Sequence, residues 1–264
     1  MFNVHKRGDV VASAEDCCVR IWDLARRTCE RTLSCNVSGG HRMVLGVWLS
    51  EDQQTVLSGG ADGDIKVWDI QKGTCGRVLT GHAGPVVTLK ANETQIVSTS
   101  FDGSCRVWSW RGRCEQTLLG HRGHVCGLSF QPNDPANVWT GADDGLVKCW
   151  DMETARCLAT LAPEREQHGS VWCVEAGTSA LLTGATDASV RIWDMSSRRE
   201  VARLDGHREA VAGLQSDERR ILTSAFDGTL RIWDWRNTAQ CLGVVQARAR
   251  ARARIYARAN ARGA

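Results

Sequence analysis

The chain has 264 residues, 42% hydrophobic and 24% charged, with a formal net charge of +3. This composition is ordinary for a globular fold, and no apolar run approaches the roughly 18 residues a membrane span needs. The opening residues, Met1 to Gly8, lack the apolar stretch of a secretory signal, so a soluble intracellular chain, cytoplasmic or nuclear, is expected. The charge is uneven. Residues 246–264 carry Arg248, Arg250, Arg252, Arg254, Arg258 and Arg262 and no acid, and removing these six from the total of +3 leaves the body at −3.

A tryptophan recurs at Trp22, Trp68, Trp108, Trp150, Trp193 and Trp233, at intervals of 46, 40, 42, 43 and 40 residues, and Asp follows five of the six. Self-similarity at a period of about 40 to 45 residues marks a β-propeller array. Before Trp68 stands Ser58-Gly59-Gly60-Ala61-Asp62-Gly63-Asp64-Ile65-Lys66-Val67, which reads as a strand, a tight Asp-Gly turn and a second strand. Before Trp233 the same order recurs from Thr223 to Ile232. An apolar run precedes each hairpin, as in Val86 to Leu89 or Val125 to Leu128, and another follows, as in Arg77 to Leu79. Four strands make a blade. The expected fold is all-β, a β-propeller of four-stranded antiparallel blades over residues 1–245. The blades fall at about 1–33, 41–79, 82–118, 121–161, 168–204 and 207–245.

The first unit is imperfect. It keeps Asp16, Trp22 and Asp23, but Ala12 stands ten residues before the tryptophan, where later units carry Ser or Thr, and only His5 is available as a stand-in histidine. The chain is expected to start inside a blade, with no spare strand before residue 9 except Phe2 to His5. After residue 245 the Ala-Arg alternation offers no apolar set to bury, so 246–264 is expected to be disordered.

The motifs resemble those of WD-repeat proteins. A Gly-His pair appears as Gly40-His41, Gly81-His82, Gly120-His121 and Gly206-His207, with Gln167-His168 in the fifth place, and Trp-Asp recurs in all units except Trp108-Ser109. The blade sequences are similar to those of F-box/WD-repeat proteins. The family's usual seven blades imply that a seventh lies outside this chain, against the alternative of six blades closing without an interlocking strand.

Four positions recur in units two to six: His41/Ser58/Asp62/Trp68, His82/Ser98/Asp102/Trp108, His121/Thr140/Asp144/Trp150, His168/Thr183/Asp187/Trp193 and His207/Thr223/Asp227/Trp233. Asp, His and a hydroxyl suggest a hydrolase triad. A catalytic set would occur once, in one cleft, and not five times over. The resemblance implies a structural relay instead, in which Asp holds His, His holds the hydroxyl, and the hydroxyl accepts the indole N–H. No other nucleophile–base set and no phosphate-binding G-x-x-x-x-G-K-[ST] motif occurs, so no enzymatic activity and no cofactor are expected.

Twelve cysteines occur, without a C-x-x-C pair, so zinc is unsupported. Cys29, Cys75 and Cys157 lie seven residues past a repeat tryptophan, Cys114 six and Cys241 eight. They read as one recurring position near the start of an outer strand, expected to hold free and mostly buried thiols, as in a reducing compartment. The basic residues two before each tryptophan, Arg20, Lys66, Arg106, Lys148, Arg191 and Arg231, read as a scaffold feature because every blade has one.

In the resembled family, partners dock on the face bearing the Asp turns. Two sets of positions belong there: the residues before each turn Asp (Glu15, Ala61, Phe101, Asp143, Thr186, Phe226) and those after the first valine of the inner strand (Leu45, Val87, Cys126, Trp172, Ala212). Both sets are expected to be exposed. Phe101, Asp143, Trp172, Phe226, Leu45 and Val87 are the candidate partner-binding residues. Neither set contains Arg or Lys, which phosphopeptide capture would need. The expected function is a non-catalytic protein-interaction scaffold within a larger complex. Substrate recognition for an SCF-type ubiquitin ligase, with the F-box outside this chain, is one alternative. RNA association through the basic tail is another.

Overall fold

A computed structural model describes residues 4–34, 43–163, 169–217, 219–234 and 241–246. Blade one comprises β1 Val4–Arg7, β2 Val10–Glu15, β3 Cys18–Asp23 and β4 Thr28–Ser34. Blade two is β5 Val44–Leu49, β6 Thr55–Gly60, β7 Ile65–Asp69 and β8 Thr74–Leu79. Blade three is β9 Val86–Ala91, β10 Gln95–Ser100, β11 Cys105–Ser109 and β12 Cys114–Leu118. Blade four runs through β13 Val125–Gln131, β14 Asp134–Ala142, β15 Val147–Asp151 and β16 Cys157–Leu161. Blade five is β17 Val171–Ala176, β18 Ala180–Ala185, β19 Val190–Asp194 and β20 Arg199–Leu204. Blade six is β21 Val211–Ser216, β22 Arg220–Ala225, β23 Thr229–Asp234 and β24 Cys241–Gln246.

Each sheet joins its four strands in chain order, and no helix occurs among the described residues. The fold class is therefore the expected one: all-β, with six four-stranded antiparallel blades of a β-propeller. Two details differ from the sequence reading. The segment before residue 9 is a full first strand, with Val4 to Arg7 paired to Ser13 to Val10, so blade one has all four of its strands. At the other end β24 runs to Gln246, one residue into the expected tail. Residues 247–264 lie outside the described residues.

In blades two to six burial falls from the inner strands to the outer ones. Every residue of β5 is buried, whereas β8 buries only Leu79. The outer strands of blades one to five each carry a buried leucine at or next to their end: Leu33, Leu79, Leu118, Leu161 and Leu204. The chain divides into two compact units, Met1–Leu128 with Trp150–Cys157, and Ser129–Cys149 with Leu158–Ala264. In the first, Ala12, Val19, Ile21 and Leu33 of blade one pack with Val44, Val47 and Trp68 of blade two. Leu57, Ile65 and Leu79 of blade two likewise pack with Val86, Leu89 and Trp108 of blade three. In the second, Val147, Cys149 and Leu161 meet Val171, Val174 and Trp193, and Val190, Ile192 and Leu204 meet Val211, Ile221 and Trp233. Each of these tryptophans fills the seam between its own blade and the preceding one. Trp22, in blade one, is only half-buried.

The glycine of the Gly-His pair follows from this seam. A Cβ on Gly81 would lie 3.2 Å from the Trp108 ring and 2.9 Å from the Arg106 guanidinium, at a φ of +152°. Only a residue without a side chain lets the strand connection close over the indole. We expect Gly81→Ala to lower stability by about 1–3 kcal/mol, the usual cost of forcing atoms into a packed seam. Gly243→Ala, where a Cβ would meet nothing within 4 Å, should stay within about 0.5 kcal/mol. Thermal or denaturant melts of the two variants check the contrast.

Candidate functional site

The recurring polar residues form a relay in the seams. In blade three Trp108 Nε1 donates to Ser98 Oγ at 2.8 Å, Ser98 Oγ is 2.8 Å from His82 Nε2, and His82 Nδ1 is 2.8 Å from Asp102 Oδ2. The Ser98 hydroxyl accepts from the indole and keeps its own proton to donate, so His82 Nε2 is the acceptor and Nδ1–H donates to Asp102. Burial pushes His82 below its ordinary range, against the pull of Asp102, which agrees with a neutral imidazole. Burial alone would raise the Asp102 carboxyl. Hydrogen bonds from Ser104, His82 and the Ala83 N–H outweigh it and hold Asp102 at about 2.

Blade six repeats this arrangement. Trp233 Nε1 donates to Thr223 Oγ1 at 2.9 Å, His207 Nε2 is 2.7 Å from the same oxygen, and His207 Nδ1 is 3.1 Å from Asp227. In blades two and five the indoles of Trp68 and Trp193 donate to Ser58 and Thr183 at 2.8 and 2.9 Å. Asp62 and Asp187 there accept the N–H groups of Asp64 and Ser189 across their turns. The histidines of those two sets, His41 and His168, lie outside the described residues. In blade four Thr140 and Trp150 are buried, and the His121 ring meets the edge of Trp150 with centroids 6.1 Å apart. Asp144 accepts the N–H of Leu146.

Blade one corrects the sequence reading. Trp22 does have a hydroxyl partner, Ser13, at 2.8 Å. Its hairpin turn is one residue shorter than the others: Ala14 pairs with Val19, where Thr99 pairs with Cys105 in blade three. Ser13 opposite Arg20 therefore occupies the register of Ser98 opposite Arg106. Counting back from the tryptophan landed on Ala12, whereas counting strand pairs lands on Ser13. His5 is not a stand-in. Its Nδ1 accepts the Leu49 N–H at 3.0 Å, and burial, with Arg7 and Lys90 nearby, lowers it to about 4.

The aspartate after each tryptophan has a separate task. Asp23, Asp69, Asp151 and Asp194 accept the N–H three residues on, at 2.9, 2.9, 3.0 and 2.6 Å, closing the turn into the outer strand. In blade three Ser109 Oγ instead accepts the N–H four residues on, that of Arg113, at 3.3 Å.

The inner-strand set has a structural origin. Pairing skips one residue between Val44 and Gly46, Val171 and Cys173, and Val211 and Gly213, and Val87 is likewise skipped. Leu45, Val87, Trp172 and Ala212 are therefore β-bulge residues, a device that re-aims a side chain. The expectation that they are exposed fails for some: Leu45 and Val87 are 7% and 4% exposed and Cys126 is buried as well. Trp172 is half-buried, and its ring meets Phe226 edge-on at 5.5 Å and 76°. Phe101, 40% exposed, stacks on His124 at 4.4 Å. Asp143 is exposed, and its carbonyl accepts from Ser170 Oγ. His124 was missed because its position, just before the first inner-strand valine, carries a different residue in each of blades two to six: Met43, Pro85, His124, Ser170 and Ala210.

None of the recurring cysteines forms a disulfide, but Cys29, Cys75 and Cys157 are exposed and Cys114 and Cys241 half-buried, which corrects the expectation of buried thiols. They sit opposite the repeat tryptophan on the outer strand, at a bulge, in blades one, two, three and six. The thiols of Cys29, Cys75, Cys114 and Cys241 donate to the carbonyl two residues on, at 3.3–3.4 Å. The basic residues before the tryptophans are internal partners: Arg191 is 2% exposed and paired with Asp187, and Lys148 donates to Thr160. Among the described residues no cluster of His, Cys, Asp and Glu has the form of a metal site, and no helix is long and apolar enough to cross a membrane.

The profile of the WD domain, G-beta repeat, matches residues 27–69, 73–109, 112–151, 155–194 and 198–234. The chain belongs to the WD-repeat family. Each matched WD stretch ends at the residue after a repeat tryptophan, so the family's unit joins one blade's outer strand to three strands of the next. Among curated WD-repeat relatives, the COMPASS component SWD3 of Saccharomyces cerevisiae is 27% identical over 60% of this chain and 50% of its own length. The guanine nucleotide-binding protein subunit beta-like protein of Encephalitozoon cuniculi is 28% identical over 46% of this chain and 39% of its own. Autophagy-related protein 16 of Arabidopsis thaliana is 28% identical over 60% and 31%. The chain thus spans half or less of the length of these relatives.

Ser13→Ala should cost about 1–3 kcal/mol by leaving the Trp22 indole N–H without an acceptor, while Ala12→Ser should add no stability, as paired denaturant melts would show. Acid should also destabilise the fold. A histidine lowered in the folded state protonates first in the unfolded chain, so stability is lost as pH falls from 6.5 toward 4 for His5. Asp102, lowered from 3.8 to about 2, adds a further loss between those values. Substituting His5→Asn, which keeps an acceptor for the Leu49 N–H, should flatten the decline of unfolding free energy between pH 6.5 and 4, read from denaturant melts, by on the order of 3 kcal/mol.

Proposed function

We propose that this WD-repeat chain is a non-catalytic interaction platform that receives a protein partner at its bulge and turn positions. The observation that carries this is the Trp172–Phe226 pair. A bulge of blade five aims the indole at the turn residue of blade six, and the two rings meet edge-on while both keep part of their surface in water. Half-exposed aromatics held rigidly by strand ends are the residue types that anchor interfaces at low entropic cost. Phe101 on His124 is the matching feature at the turn of blade three.

The names of two relatives support assembly into complexes: one is a component of COMPASS and another is likened to a guanine nucleotide-binding protein subunit. The chemistry of the positions points to an apolar or aromatic segment as the bound element. Leu45, Val87, Cys126, Trp172 and Ala212 include no arginine or lysine to grip a phosphate. The tetrads, bound up in indole burial, have no free nucleophile to offer, and the setting is taken to be the cell interior.

The test is an affinity pull-down with Trp172→Ala/Phe226→Ala against wild type, with circular dichroism confirming that the fold is kept. Loss of recovered partners, by about 2 kcal/mol or more in affinity, is expected. Partners recovered unchanged would sink the assignment, and their loss on deleting residues 247–264 instead would place recognition in the tail.

A further inference from the structure

Blade six is uncovered on the face that other blades turn toward their successor. In blades one, two, three and five the residue three before the tryptophan pairs with the leucine of the outer strand: Val19 with Leu33, Ile65 with Leu79, Cys105 with Leu118 and Val190 with Leu204. Each of these leucines is 1% exposed. The same pair in blade six is Leu230 with Val245, and Val245 is 57% exposed. Beside it Leu222, Leu230 and Ile232 are half-buried, whereas Leu182, Val190 and Ile192, at the same register of blade five, are buried. Blade one is uncovered on the opposite face, the one that carries the tryptophan. The inner-strand residue paired with the hydroxyl is Val47, Leu89 or Val174 in blades two, three and five, all buried, but Val4 in blade one is 58% exposed. Val11 and Trp22, a cross-strand pair, are half-buried, while the equivalent pairs Ile96–Trp108 and Leu181–Trp193 are buried.

We propose that these two faces are the halves of an intermolecular seam, in which blade six of one copy receives blade one of a second copy. The seams inside the chain define what covers such a face. There the outer-strand leucine meets the next blade's tryptophan and the inner-strand residue paired with its hydroxyl. Leu79 packs with Leu89 and Trp108, and Leu204 with Leu214 and Trp233. Val245 with Leu230 makes the first half of this contact, and Val4 with Trp22 makes the second. Both halves belong to this chain, so a second copy supplies the cover with no new chemistry. Ser13 already accepts the Trp22 N–H, so burying that indole leaves no donor unmatched. Apolar side chains grouped in this way on one exposed face mark an association surface. The contact is head-to-tail, since each copy gives a different face, and a copy joined at one end keeps its other face for a further copy or for closing a ring.

Sedimentation velocity of the full chain over a series of concentrations should show self-association. Val245→Arg and Val4→Arg each place an unpaired charge in the seam and should each weaken association at least about tenfold. Val201→Arg, at an exposed outer-strand position of blade five, whose seam face is already covered, should not. All three positions face water in the single chain, so the fold is kept, as circular dichroism would verify. Mixing supplies the directional readout. Val245→Arg retains an intact blade one and Val4→Arg an intact blade six, so the two together should form a dimer and nothing larger, although each alone stays monomeric. A wild-type chain that sediments as a monomer at every concentration overturns the proposal and leaves the two faces to another protein. Association that survives both substitutions, or a mixture that fails to dimerise, overturns it as well.

Discussion

The seams between blades depend on one requirement: an indole buried between two sheets must have its N–H accepted. Burying a tryptophan removes on the order of 200 Å² from water and favours the fold by about 5 kcal/mol. Leaving its N–H unmatched would return about 1–3 kcal/mol of that. Packing therefore supplies the stability, and the hydroxyl prevents its partial loss. Every other member of the relay follows from the hydroxyl. Ser98 must orient its lone pair at Trp108, so its proton goes to His82, and the imidazole's second nitrogen goes to Asp102. Asp102 in turn gathers the Ser104 N–H of its own turn and the Ala83 N–H beside His82. A residue set that resembles hydrolytic machinery is consumed in satisfying one ring nitrogen.

Much of this was legible in the residues, because a requirement repeated in every blade leaves a repeated pattern. The four-stranded unit and the Asp-Gly turns follow from spacing, and the pairing of hydroxyl with indole from the family resemblance that the spacing reveals. Spacing failed where strand pairing and residue count part company. Ala12 stands ten residues before Trp22, but the shortened turn of blade one makes Ser13 the residue in register. Side-chain period is two along a strand, so a one-residue change in a turn moves the partner to its neighbour.

Exposure was less legible than pairing, for a physical reason. The bulge that re-aims Trp172 also re-aims Leu45 and Val87, yet whether a bulge residue meets water depends on the neighbouring blade, not on its own strand. The outer-strand cysteines misled in the opposite direction. Cysteine is among the most buried residue types in general, but here the thiol bridges a bulge by reaching the carbonyl two residues ahead. That task is local and can be done at the surface.

The offset between the family's repeating unit and the sheet has an outcome for how such proteins grow. A stretch such as 73–109 begins with the outer strand of one blade and stops three strands into the next. If genes gain or lose copies in this phase, no copy is a finished sheet, and each is completed only by the copy that follows it. Lengthening or shortening the array then keeps every junction covalently stitched across two sheets, and hydrogen-bonded ladders are never the weak point at which repeats part.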